Sequence, residues 1–187
     1  MKEAVIVATA RTPIGKAYRG GFNNLGGASL GAASVAEAVR RAGIDPAEVD
    51  DVIMGCALQQ GATGSNIARQ VALRAGLPVS TSGMTIDSQC SSGLMSVATD
   101  AKQIIDDGMS VVIGGGLESI SLVQNEHMNL HRAADEELMA MHPNIHMPML
   151  QTAEIVAYRY NISREAMDEY GLQSQQRTAA AYEAGKY

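Results

Sequence analysis

The sequence predicts an α/β fold built on a parallel sheet. Short apolar runs rich in β-branched residues alternate four times with segments of helical spacing inside the first 116 residues. Such alternation needs crossover connections, which lay helices over the faces of a parallel sheet. The chain has 187 residues, 46% of them hydrophobic and 18% charged, a globular balance with enough length for a real core.

Ala4 to Ala8 is the first apolar run and reads as a buried strand, stopped by Arg11-Thr12-Pro13. A loop with Gly15, Gly20, Gly21, Gly26 and Gly27 follows. From Ser29, apolar residues return at Leu30, Ala33, Val35, Ala36, Val39 and Ala42, which is helical spacing closed by Gly43. Asp45-Pro46 makes a turn into a second strand over 52–57. A helix near 66–75 ends at Gly76 and Pro78, and Met84-Thr85-Ile86 reads as a third strand. A helix over about 90–107 carries Leu94, Val97, Ala98, Ala101, Ile104 and Ile105 along one side. Val111-Val112-Ile113 is the fourth strand and runs into Gly114-Gly115-Gly116. The alternation breaks there. Residues 119–150 hold all four histidines and five methionines and read as a long excursion loop with short helices, a kind of segment that tends to be functional. Helices near 152–159 and 163–184 close the chain, with Ser163 as the N-cap of the second and Gly185 at its C-terminal cap.

Composition removes several functions. Net charge is −6, and the aromatics are six Tyr, one Phe and no Trp, so neither the basic footprint nor the stacking surface of a nucleic-acid binder is present. No apolar run reaches membrane-spanning length. Two cysteines 34 positions apart make no disulfide framework, and a reducing, cytoplasmic setting is the simplest expectation. P-loop, dinucleotide and nucleophile-elbow serine motifs are missing. His127 and His131, like His142 and His146, stand four apart, but Pro143 breaks the second pair as a helical one and no H-E-x-x-H occurs. No metal site and no cofactor are expected.

Chemistry is best placed at Cys90, in Asp87-Ser88-Gln89-Cys90-Ser91-Ser92-Gly93. The cysteine lies between a predicted strand and the first turn of a predicted helix, where α/β folds gather ligands and a helix N-terminus stabilises a thiolate. The competing reading is a packing cysteine, the common fate of a free thiol. Packing is the better reading for Cys56, which sits mid-strand among apolar neighbours. Gly114-Gly115-Gly116 before Glu118-Ser119 suits either a close approach of backbone to a ligand or a tight turn.

Several motifs in order now resemble the N-terminal half of a thiolase, the family of acetyl-CoA acetyltransferases and 3-ketoacyl-CoA thiolases. They are Arg11-Thr12-Pro13-Ile14-Gly15, Gly64 to Gln70, Gln89-Cys90-Ser91-Ser92-Gly93-Leu94, Gly115-Gly116-Leu117-Glu118-Ser119-Ile120-Ser121 and Thr152-Ala153-Glu154. Ser163-Arg164-Glu165, Asp168 and Ser174 to Arg177 resemble the helix that follows. Asp87 and Ser88 depart from the Asn and Arg of many members, and Leu150-Gln151 interrupt the M-G-x-T-A-E segment, leaving Met149 at its methionine.

The resemblance implies a thiolase-like layered fold, with a parallel-rich mixed sheet and a buried helix carrying the nucleophile. It divides the chain into residues 1–118, a core half, and 119–187, a loop region with the following helices. It implies Cys90 as nucleophile, Met149 as a residue of the acyl pocket, and coenzyme A as substrate. The acyl group would pass between acyl-CoA and CoA through an acyl-Cys90 thioester. It also implies a homodimer or homotetramer acting on acyl-CoA, with neither nucleic acid nor membrane as partner. The family's second half supplies a histidine in G-H-P and a second cysteine in C-x-G, and neither motif occurs among these 187 residues. The chain alone is therefore expected to be inactive in turnover, with its sheet and glycine-rich faces needing the other half to cover them. A binding or assembly module and a ketoacyl-synthase-type enzyme are the alternative readings.

Overall fold

A computed structural model describes residues 2–186. They form two compact units, one running to Asn129 and one from Leu130. Among the described residues no helix is long and apolar enough to cross a membrane.

The first unit is a three-layer α/β arrangement. Helix α1 covers Gly27–Ala42, strand β1 Asp51–Gly55, helix α2 Ile67–Arg74, strand β2 Ser82–Ile86, helix α3 Ser92–Lys102 and strand β3 Val112–Gly116. The strands are parallel in the order β2-β1-β3. After β2 the chain passes back over β1 to reach β3. Crossovers of one hand that run in opposite directions put α2 and α3 on opposite faces of the sheet. Gly43 caps α1 in the left-handed region at φ 68°, as its position after the last periodic residue predicts. Asp45 accepts a hydrogen bond from Ala47 N–H, and Glu48 accepts one from Asp45 N–H; together they cap the turn Pro46–Glu48 that delivers β1.

Alternation along β1 sorts the two faces. Val52 and Met54 join Val35 and Val39 of α1 and Ile67, Ala68 and Val71 of α2 in the main apolar core. Gly55 faces the other way, against the backbone of Ser92 and Gly93 in α3. On β3, Gly114 and Gly116 also face α3, while Gly115 faces Met54. Helix α3 therefore lies on a glycine surface. It meets that surface with Ser92, Ser96 and Asp100, a buried stripe of helical spacing. Ser96 Oγ donates to Gly93 O within the helix and lies 2.7 Å from Gly115 O on β3. The larger apolar side chains of α3 point elsewhere: Leu94 is 75% exposed, and Met95 and Val97 are also exposed.

Two expectations change. Residues 4–8 are not a buried strand. They pair with no strand among the described residues, and Val5, Ile6 and Val7 are each at least 70% exposed. The segment is held at its ends instead, where Lys2 Nζ donates to Gly108 O and Met109 O, and Arg41 donates to Thr9 O. β-branched composition reports fitness for a pleated surface, not the presence of a neighbour to pair with. The helix expected over 90–107 starts at Ser92 and turns into one π-helical turn over Gln103–Asp107 before Gly108 closes it at φ 81°.

Helix α4, Ile120–Val123, stays with the first unit. Ser121 Oγ accepts from Tyr18 N–H and pairs with Asn23 Oδ1, and Asn129 N–H donates to Gln60. The second unit contains α5, Glu136–Met141, then α6, Met149–Arg159, and α7, Arg164–Glu183. Asp135 and Ser163 cap α5 and α7 by accepting from Leu138 and Ala166 N–H groups. No residue of α7 is buried.

Candidate active site

The three strands end together at Gly55, Ile86 and Gly116. The chain leaves β2 there and turns through Asp87–Ser91 into α3, so the expected nucleophile stands beyond the carboxyl edge of the sheet, where α/β folds bind ligands. Cys90 is exposed, two residues before the first residue of α3.

The turn is tight and internally bonded. Gln89 takes φ 50°, a left-handed conformation rare for a residue with a side chain. Asp87 Oδ1 accepts from Gln89 N–H at 2.7 Å and stabilises that conformation. Ser88 N–H donates to Ser92 Oγ at 2.9 Å, and Ser92 Oγ donates in turn to Gln89 O at 2.6 Å. Ser91 Oγ donates to Ser88 O. The buried Ser92 thus ties both sides of the turn to the helix, while Cys90 at the apex stays accessible. Close packing of Gly55 and Gly116 on Gly93 seats the first turn of α3 directly on the strand ends. In the sequence Ser92 is one more small residue of the cysteine motif. Its clamping role depends on a bond to Ser88 across the turn, which no spacing rule announces.

The Ser92→Ala variant removes both hydrogen bonds and strands the Ser88 N–H. It is expected to lower stability by about 1–3 kcal/mol, read by urea unfolding, and to change the alkylation rate of Cys90 as the turn loosens.

Cys56 is a different kind of thiol. It is 1% exposed and belongs to the apolar core, as its sequence neighbours predict. Burial, reinforced by the adjacent Glu118 carboxylate, pushes it up to about 11. Glu118 accepts from Cys56 Sγ and from the N–H groups of Ala57 and Leu58, at 3.3, 2.9 and 3.2 Å. The carboxylate after β3 thereby fastens the loop after β1. This gives the Gly114-Gly115-Gly116-Leu117-Glu118 segment a structural task at the carboxyl edge of the sheet.

Met149 opens α6 and is exposed in the second unit. His127 lies 3.7 Å from Glu126, both side chains exposed, and His142 follows the end of α5. Among the described residues, no group of three or more His, Cys, Asp or Glu side chains is gathered to hold a metal ion.

A family model described as the N-terminal domain of thiolase matches residues 4–187. The chain belongs to the thiolase family. This thiolase chain is 40% identical over its whole length to a 3-ketoacyl-CoA thiolase of Bacillus subtilis (strain 168), of which it covers 47%. It is 38% identical, again over all of this chain, to an acetyl-CoA acetyltransferase of Escherichia coli (strain K12), of which it covers 50%. The crystal structure of the Bacillus anthracis acetyl-CoA acetyltransferase superposes with a TM-score of 0.82 at 35% identity, over 99% of this chain and 49% of that one. The thiolase fold is therefore shown, and the chain spans about half the length of these relatives.

Proposed function

We propose that this thiolase chain carries the nucleophile of an acyl-CoA acyltransferase, and that the nucleophile is Cys90. The observation that carries the reading is the placement of Cys90 at the exposed apex of a bonded turn, beyond the strand ends and at the amino end of α3. The amino end of a helix favours the thiolate, the reactive form of a cysteine. The thiolate attacks the thioester carbonyl of an acyl-CoA or the 3-keto carbonyl of a 3-ketoacyl-CoA. The carbon–sulfur bond to CoA, or the carbon–carbon bond of the ketoacyl group, then breaks as the acyl–Cys90 thioester forms. The leaving thiolate or carbanion takes a proton. A second thiol or carbanion accepts the acyl group and restores the cysteine. N–H groups at the start of α3 are suited to hold the oxyanion formed on the way. Met149 is proposed as an acyl-pocket residue on its motif position alone.

The relatives' names, a 3-ketoacyl-CoA thiolase and an acetyl-CoA acetyltransferase, support CoA thioesters as the substrate class. The test is intact-mass spectrometry of the chain after incubation with acetyl-CoA. One acetyl adduct is expected, on the peptide that holds Cys90. Failure to form it, or an adduct that survives Cys90→Ser, overturns the assignment.

One observation favours a second reading, in which this half serves assembly and does not turn substrate over by itself. The bare apolar side of α3, with Leu94, Met95 and Val97, is a surface for another chain or domain to cover. Turnover of acetoacetyl-CoA by the isolated 187-residue chain would sink it.

A further inference from the structure

The seat of α3 contains one element that neither the turn nor the core requires. Asp100 is 5% exposed, deep between α3 and the sheet, packed against Gly114 so closely that no side chain fits there. Both of its carboxylate oxygens are buried without a hydrogen-bond partner. Gln103, one turn further along, also has its amide oxygen buried and unpartnered. Its amide nitrogen is committed, donating to Asp51 Oδ2 at 2.8 Å. Asp51 is itself 5% exposed and also accepts from its neighbour's N–H at Val52. Two buried carboxyls and an amide thus present three orphan acceptor atoms and no donor to satisfy them.

A buried, unpaired carboxylate costs several kcal/mol, and the usual escape is to take up a proton. A proton on Asp100 also supplies the missing donor. A neutral carboxyl can donate to Gln103 Oε1, whose Nε2 already donates to Asp51, which completes one chain of hydrogen bonds through the three residues. The surroundings offer no compensating positive charge. Asp51 is the sole titratable residue on β1, β2 and β3, and Lys102, Asp106 and Asp107 on the same helical segment are exposed. Asp100 also sits in the last turn of α3, where the helix dipole disfavours a negative charge.

We propose that Asp100 is a pH-sensitive latch: its carboxyl carries a proton when α3 is seated on the sheet, and its ionisation as the pH rises to neutrality weakens that seat. Burial first, and the Asp51 carboxylate second, raise the group from an ordinary 3.8 to about 7. Between those values the folded chain binds a proton that the unfolded chain has lost, so stability falls as pH rises through the window. Above about 7 both states are ionised and the fall levels off. The latch stands apart from the chemistry of Cys90 and holds whether or not Cys90 is a nucleophile.

Urea unfolding of the 187-residue chain, followed by circular dichroism from pH 5 to pH 8, tests it against Asp100→Asn. The wild-type folding equilibrium constant is expected to fall roughly a hundredfold more across that range than that of the variant. The variant should be the more stable protein at pH 8, with the gap closing toward pH 5. Equal pH dependence in the two proteins overturns the proposal. A carbon-13 titration of the wild-type aspartate carboxyls gives a readout that needs no variant to fold. One carboxyl with a midpoint near neutrality supports the latch, and a set that all titrates in the ordinary range around 4 overturns it.

Discussion

Treated with an alkylating reagent at pH 8, the native protein should lose one thiol quickly and keep the other. Cys90 is exposed at the apex of its turn, and Cys56 is buried in the core beneath Glu118. A thiol pushed from 9.0 to about 11 holds roughly a hundredfold less thiolate at pH 8, and burial slows reagent access further. The expected ratio of rates is therefore at least about a hundred. Cys90→Ser should abolish the fast phase while Cys56→Ser leaves it intact, read by mass spectrometry of the digested protein. The same substitution should abolish acylation by acetyl-CoA, because a serine hydroxyl is a far weaker nucleophile than a thiolate unless a base activates it. A protein whose Cys56 reacts first would contradict both the burial argument and the choice of nucleophile.

The second large effect concerns glycines that look alike in the sequence. Gly55→Ala places a methyl group against the backbone of Ser92 and Gly93, which no rotamer change relieves. Helix α3 has to lift from β1, at a cost of about 3 kcal/mol or more. That is a large share of the stability of a domain of this size. Gly93→Ala, in the first turn of the same helix, points its methyl into open space. It should be neutral or gain about 0.5–1 kcal/mol, since glycine within a helix costs that much relative to alanine. Urea midpoints of the two variants should therefore move in opposite directions or leave Gly93→Ala unchanged. Alkylation of Cys90 should be altered mainly in Gly55→Ala, where the seat of α3 is lost.

Much of the first unit was legible because each signal was local. Gly43 ends α1 where the periodic residues stop, and the apolar runs at 52–57 and 111–113 became the strands Asp51–Gly55 and Val112–Gly116; in the second unit Ser163 caps α7 for the same reason. The run at 4–8 carried the same signal and failed, because pairing is a property of two segments and one segment's composition does not contain it. The face of α3 was harder still. Its apolar stripe suggests the buried side, yet Ser92, Ser96 and Asp100 are the residues pressed on the sheet. Glycines on the strands bring the two backbones so close that only short side chains fit between them. That closeness is visible only when β1, β3 and α3 are assembled.

The sequence by itself determined the α/β class and the family, and it marked Cys90 as the candidate nucleophile and Cys56 as a packing residue, since motifs and neighbours are written in consecutive residues. Tertiary structure alone decided which glycines are indispensable, that Ser92 clamps the turn, and that Glu118 holds the loop after β1. It also placed Asp100 near Asp51, 49 positions away, with both Asp100 carboxylate oxygens buried and unpartnered. Those outcomes depend on close approach and desolvation between segments distant along the chain, which no reading of one stretch at a time contains.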